Sequence, residues 1–155
     1  MRDLIEEELA FSRGIIQDGH ELVPRFRIAT AEEGEVTIFV QLPDDLQERF
    51  NRMALVKAYM KAKLASWFVM ASELQEPDAA MVVAVNRQGV TGAFQMINRK
   101  PLSFGPVQFV DRDQVGDEIP SMLPNVIETL SAEEAREVER LIAHNAGLRL
   151  ERRHG

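Results

Sequence analysis

AMVVAVNRQGVTGAFQMI, residues 80–97, carries two apolar runs around Arg87-Gln88-Gly89, and its reading decides between a helical and a sheet fold. Val, Ile and Phe suit a pleated strand, and a Gly between two such runs signals a hairpin. A two-residue turn on Gln88-Gly89 would force Gln88 to positive φ. The expected connection is therefore a three-residue loop with Gly89 left-handed, followed by a bulge. Just upstream, SWFVMASE (66–73) is short and apolar and reads as a strand rather than as more helix, with Glu76-Pro77-Asp78 as the turn between. Downstream, Lys100-Pro101 turns the chain into a shorter strand around Val107 to Val110, and residues 111–125 read as a loop. The centre of the chain is an antiparallel meander.

A second hairpin precedes it. Leu22, Pro24, Phe26 and Ile28 alternate with Arg25 and Arg27, and after residues 30–34 Val36, Ile38, Val40 and Leu42 resume the alternation. Folding about 30–34 places Ile28 opposite Val36, Phe26 opposite Ile38 and Leu22 opposite Leu42. A slip of one residue would scatter that face, so the register is well specified. Pro24 suits an edge strand.

Helices flank these strands. Asp3 and Glu6 have capping-box spacing for a first helix ending near Gly14, with Leu4, Ile5, Leu9 and Phe11 on its apolar side. Asp44 with Gln47 starts a long helix running to about Ala65. Leu46, Phe50, Met53, Lys57, Met60 and Leu64 recur at spacings of four and three along it, while Leu55, Val56 and Tyr59 lie on a second side. A helix apolar on two sides needs two partners, the sheet and either another helix or a second subunit. Met53, Leu55, Val56, Lys57, Tyr59 and Met60 are thus the candidate interface. Lys57, the one charge in the stripe, snorkels, pairs with a carboxylate across an interface, or is a desolvated catalytic lysine, the first reading being favoured. Ser131 and Glu134 cap a last helix with Ala135, Val138, Leu141 and Ile142 on its inner side. The fold class is α+β, one domain over residues 1–147 with helices on one sheet face, and residues 148–155 read as a flexible tail.

Bulk composition narrows the function. At 155 residues and 45% hydrophobic content the chain can hide roughly 68–70% of its unfolded surface, enough to fold without a staple. A net charge of −7 argues against nucleic acid and anionic lipid as partners. With no cysteine, disulfides, thiolate catalysis and Cys-based zinc sites are all absent. The first 14 residues are too acidic for a signal peptide and no apolar run approaches ~18 residues, so a cytoplasmic location is expected.

Catalytic vocabularies fail one by one. His20-Glu21 begins H-E-x-x-H, but Pro24 replaces the second histidine and would break the helix the motif requires. Asp111-x-Asp113-x-x-Gly116 imitates a calcium loop until Val115 and Met122 stand where oxygen ligands belong. Pro77-Asp78 followed by Lys100 lacks the second carboxylate of a metal-dependent nuclease. No nucleophile elbow or phosphate-binding glycine loop occurs, and His144 and His154 have no partner implied by spacing. No metal, cofactor or catalytic residue is expected. In element order and composition alone the chain resembles small secretion chaperones, dimers that bind partner polypeptides. Because every catalytic vocabulary fails, the expectation is a non-catalytic, homodimeric protein-binding or adaptor module that can take another polypeptide. The alternative is a small hydrolase with an Asp/Glu/His site assembled only in space.

Overall fold

A computed structural model describes residues 1–124 and 129–152. Among these, four α-helices accompany one seven-stranded antiparallel sheet, so the fold is α+β. The helices are α1 (Arg2–Gln17), α2 (Leu46–Ala62), α3 (Arg112–Val115) and α4 (Ala132–His144). The strands are β1 (Arg25–Thr30), β2 (Gly34–Val40), β3 (Trp67–Gln75), β4 (Asp78–Asn86), β5 (Gly89–Arg99), β6 (Leu102–Val110) and β7 (Leu148–Arg152). Their order across the sheet is β6-β5-β4-β3-β1-β2-β7. The meander occupies one side and the first hairpin the other, with β7 closing the far edge against β2.

The first hairpin keeps its expected register, Phe26 opposite Ile38 and Ile28 opposite Val36. It does not extend to Leu22 and Leu42. The ladder ends where Val40 N donates to Pro24 O at 2.8 Å, leaving Leu22 buried and Leu42 exposed. Nor is β1 an edge strand. It lies between β2 and β3, and Pro24 is tolerated because it stands just before the strand begins.

The helices cover both faces of the sheet rather than one. Successive strand residues point to opposite sides, and β3 shows the division: Phe68 and Met70 join a core with α2 and α4, whereas Val69 and Ala71 join another with α1. The apolar run of β4 splits likewise, Val83 and Val85 facing α2 and α4 while Ala80, Val82 and Ala84 face α1. A continuous apolar run is the mark of a strand buried on both faces. The α1 side is lined by small residues, Ala71, Ala80, Ala84 and Ala93, against which Ile5, Leu9 and Ile16 pack.

Farther along that face the contact with α1 becomes ionic. Arg25 Nε donates to Glu8 Oε2 at 2.7 Å, both side chains are buried, and the Arg25 guanidinium lies 3.4 Å over the Phe11 ring. Arg27 is held by Glu35 at 2.7 Å and Glu7 at 3.2 Å. Phe11 therefore stays half exposed, as a platform for Arg25 rather than a core side chain. The first helix begins at Arg2 with Met1 as N-cap and no side-chain cap, so Asp3 and Glu6 form no capping box, and it runs past Gly14 to Gln17.

Several turns differ from expectation for local reasons. Asn86 pairs with Gly89, so the β4–β5 connection is Arg87-Gln88, and Gly89 is an ordinary strand residue. The Asn86 side chain accepts from Gln88 N and Gly89 N, both at 2.9 Å, and this bridging replaces the left-handed glycine. The loop expected over 111–125 contains the helical turn α3, closed by a capping box between Asp111 and Gln114, and a 3-10 turn at Pro120–Met122. Met122 is buried in the core, and Asn125 lies outside the described residues. The expected tail begins as β7, whose Leu148 and Leu150 pair with Val40 and Ile38; the remainder, 153–155 with His154, lies outside the described residues. Ser131 and Glu134 form the expected reciprocal cap of α4, which buries Val138 and Ile142 and leaves Leu141 exposed.

Candidate functional site

Of the six α2 residues expected to form an interface, three are interior. Val56, Tyr59 and Met60 are buried in the core between α2, α4 and the sheet. Met53 and Leu55 are half-buried against the same core, and Lys57 is exposed. The second side of the helix thus has its partner within the chain, α4. The regular stripe also breaks at its ends. Leu64 lies beyond the last helical residue with φ 51°, in the closing turn where Ala65 N bonds Met60 O at 2.9 Å and Leu64 N bonds Lys61 O at 3.4 Å. This is the Schellman arrangement, here with Leu in the position usually taken by Gly.

The start of the helix is different. Leu46 is 78% and Phe50 69% exposed. They stand one turn apart and, with Leu42 and Met53, form the wall of a groove of ≈ 360 Å³. Phe26 and Met70 also line it, and Ile119 and Glu118 belong to its other side. Local bonds set this wall. Asp45 caps the helix by accepting from Glu48 N at 2.9 Å, whereas Asp44, adjacent, caps nothing. Gln41 N donates to Gly147 O at 2.8 Å, and the Arg52 guanidinium donates to Gln41 O, which fixes the strand just before Leu42. Among the described residues the groove's charged lining is one carboxylate, Glu118, and one guanidinium, Arg49, while Asp44 and Asp45 are exposed just ahead of Leu46 in sequence.

At the other end of α2 lies a second concavity of ≈ 480 Å³ between α4 and β7, lined by Tyr59, Glu139, Ile142, Leu148, Leu150 and Arg152 among others. The Tyr59 hydroxyl is buried and has no hydrogen-bond partner among the described residues. Burial first, and then the nearby Glu33 carboxylate, push its phenol up to about 12, so it stays protonated at neutral pH. Lys63 bridges Glu33, at 3.2 Å, and Glu139, and Arg152 reaches Glu33 at 2.9 Å. Burial would raise the Glu33 carboxyl, but the hydrogen bonds from Arg152 and Lys63 outweigh it and hold it below the usual range.

The residues of the failed catalytic motifs have structural places. His20 is exposed in the loop ahead of β1, and His144 is exposed at the end of α4; neither imidazole is hydrogen-bonded among the described residues. Asp78 takes two bonds from Arg99, at 2.8 and 3.1 Å, across the meander. Among the described residues no three His, Asp or Glu side chains gather as a metal-holding group. No described helix is long and apolar enough to cross a membrane. Leu42 and Ile119 were missed as site residues, since the alternation assigns Leu42 to the hairpin's inner face and Ile119 falls in a stretch read as loop. No protein-family model, curated protein or solved structure matches the chain.

Proposed function

We propose that the protein is a non-catalytic polypeptide-binding module that holds a short apolar segment with basic flanks in the groove along the first half of α2. The exposure of Leu46 and Phe50, one turn apart on one wall of a preformed groove, carries this reading. Large apolar side chains in such a setting mark recognition surfaces. A standard globular interface uses roughly 20–30 residues a side, far more than this groove presents, so a single helix or strand fits it better than a folded domain. The net charge of −7, with Asp44 and Asp45 exposed just ahead of Leu46, favours basic residues on either side of the apolar anchors.

The test is fluorescence anisotropy with two labelled amphipathic peptides of the same Leu pattern, one with Lys and one with Glu on its polar face. The Lys peptide should bind, and Phe50→Glu should weaken it by about tenfold or more while leaving the melting temperature unchanged. Equal binding of the Glu peptide, or unchanged binding by Phe50→Glu, would overturn the assignment.

A further inference from the structure

The two edges of the sheet are not equally protected. The β6 edge contains Pro106, which lacks an N–H, and its ladder to β5 is interrupted by an irregularity between Gln95 and Ile97. Proline and bulges are common guards against strand addition. The β7 edge has neither.

Which backbone groups of β7 face outward follows from β2. Val40 N bonds toward β1, to Pro24 O, and Gln41 N bonds the other way, to Gly147 O. Successive residues of a strand turn their backbone groups to opposite sides, so Phe39 and Thr37 bond to their partners Arg149 and Glu151. The backbone groups of Leu148, Leu150 and Arg152 therefore point away from β2. Leu148 N is taken by Asn145 O at 3.1 Å; the Leu148 carbonyl, both groups of Leu150 and the Arg152 N–H remain for another strand. α4 packs on β7 from one face of the sheet, with the 480 Å³ concavity opening between them, and Arg149, Glu151 and Arg152 along the strand are exposed.

We infer that β7 is a homodimer interface, in which a second copy of this chain adds its own β7 antiparallel about a dyad through Leu150. That register uses each of these four groups and leaves the Arg152 carbonyl, at the end of the strand, to solvent. Leu150 exchanges amide and carbonyl bonds with its symmetry mate, and each Arg152 N–H donates to the Leu148 carbonyl of the other copy. It also satisfies charge. Arg149 and Glu151, both more than half exposed on the α1 side of the strand, each fall opposite the other residue of the partner copy, where opposite charges attract across a non-bonded pair. The dyad is perpendicular to the sheet, so corresponding faces stay aligned. The two Leu150 side chains then lie side by side on the α4 face of the joined sheet, each at the rim of the concavity it lines. An isologous contact of this kind closes on itself and leaves no further free edge at β7. Neither groove nor peptide binding is required for it.

Analytical ultracentrifugation of the full chain at high micromolar concentration tests the register. The unmodified protein should sediment at twice its 17.5 kDa. Arg149→Glu and Glu151→Arg should each halve that mass by setting like charges opposite, and the double variant Arg149→Glu/Glu151→Arg should restore it. A monomer for the unmodified chain overturns the inference. So does a dimer that survives both single reversals, or a double variant that stays monomeric while its circular dichroism melt matches the parent. Phe50→Glu should leave the mass at twice 17.5 kDa, which separates this interface from the groove.

Discussion

Val56, Tyr59 and Met60 are sealed between α2, α4 and the sheet, whereas Leu46 and Phe50, nearer the start of the same helix, stand mostly in solvent. Both sets recur at helical spacing, and both are large and apolar. What differs is the structure opposite. The second half of α2 packs with α4, while the first half, among the described residues, borders a groove lined also by Phe26, Met70, Glu118 and Ile119. An apolar stripe is an offer of burial; whether it becomes core or binding surface is decided by elements distant in sequence.

Substitutions should separate the halves sharply. Met60→Ala empties a fully buried position and should cost about 2–5 kcal/mol in denaturant melts. A loss under about 1 kcal/mol would mean that the second half of α2 is not core. Leu64→Gly probes the end of the same half. It relieves a left-handed leucine whose side chain is about half exposed, and should raise stability by about 1 kcal/mol, visible as a higher melting temperature. A lower melting temperature would show that the Leu64 side chain matters more than its backbone.

The ion cluster at that end gives a smaller, pH-dependent effect. Because Glu33 is held below its ordinary range, its contribution is present above the unfolded value of about 4.3 and disappears as pH falls through the lower folded value. Lys63 behaves oppositely. Its burial would lower it, but hydrogen bonds to Glu139 and Glu33 raise it, so its contribution holds below about 10.4 and is lost as pH rises beyond the folded value. Glu33→Gln should therefore melt below the parent at neutral pH and converge with it in acid. A gap that persists unchanged at the acid end refutes this assignment. The smallest expected stability effect is at the other half of the helix: Phe50→Ala should change unfolding free energy by no more than about 0.5 kcal/mol.

The sequence made those parts legible whose determinants are local. The register of β1 on β2 follows from side-chain alternation, and the start of α4 from Ser131 and Glu134 three apart. The end of α2 did not show, because no Gly or Pro marks it and a leucine occupies the left-handed position. The turn at Arg87-Gln88 was hidden by the side chain of Asn86, which plays the part assigned to Gly89. Two signals were present and under-read: the apolar continuity of β4, which calls for cover on both faces, and the short alternation Leu148-Arg149-Leu150-Glu151. For the site, periodicity located α2 and its large side chains, but the candidate interface fell on Met53 to Met60, of which three are buried, and left out the exposed Leu46 and Phe50. That division depends on α4 and on Ile119, and no local pattern in α2 encodes either.

The pairing of β2 with β7 has a consequence for how the chain is made. β2 leaves the ribosome early, together with β1, yet the strand that covers its outer side is synthesised only after the whole meander and α4. Through that interval β2 presents a bare strand with Val36, Ile38 and Val40 on one face, the kind of nascent surface that recruits other chains into aggregates. A message truncated ahead of Leu148 would make that interval permanent, and its product should be found with the insoluble fraction or the proteases rather than in the folded pool.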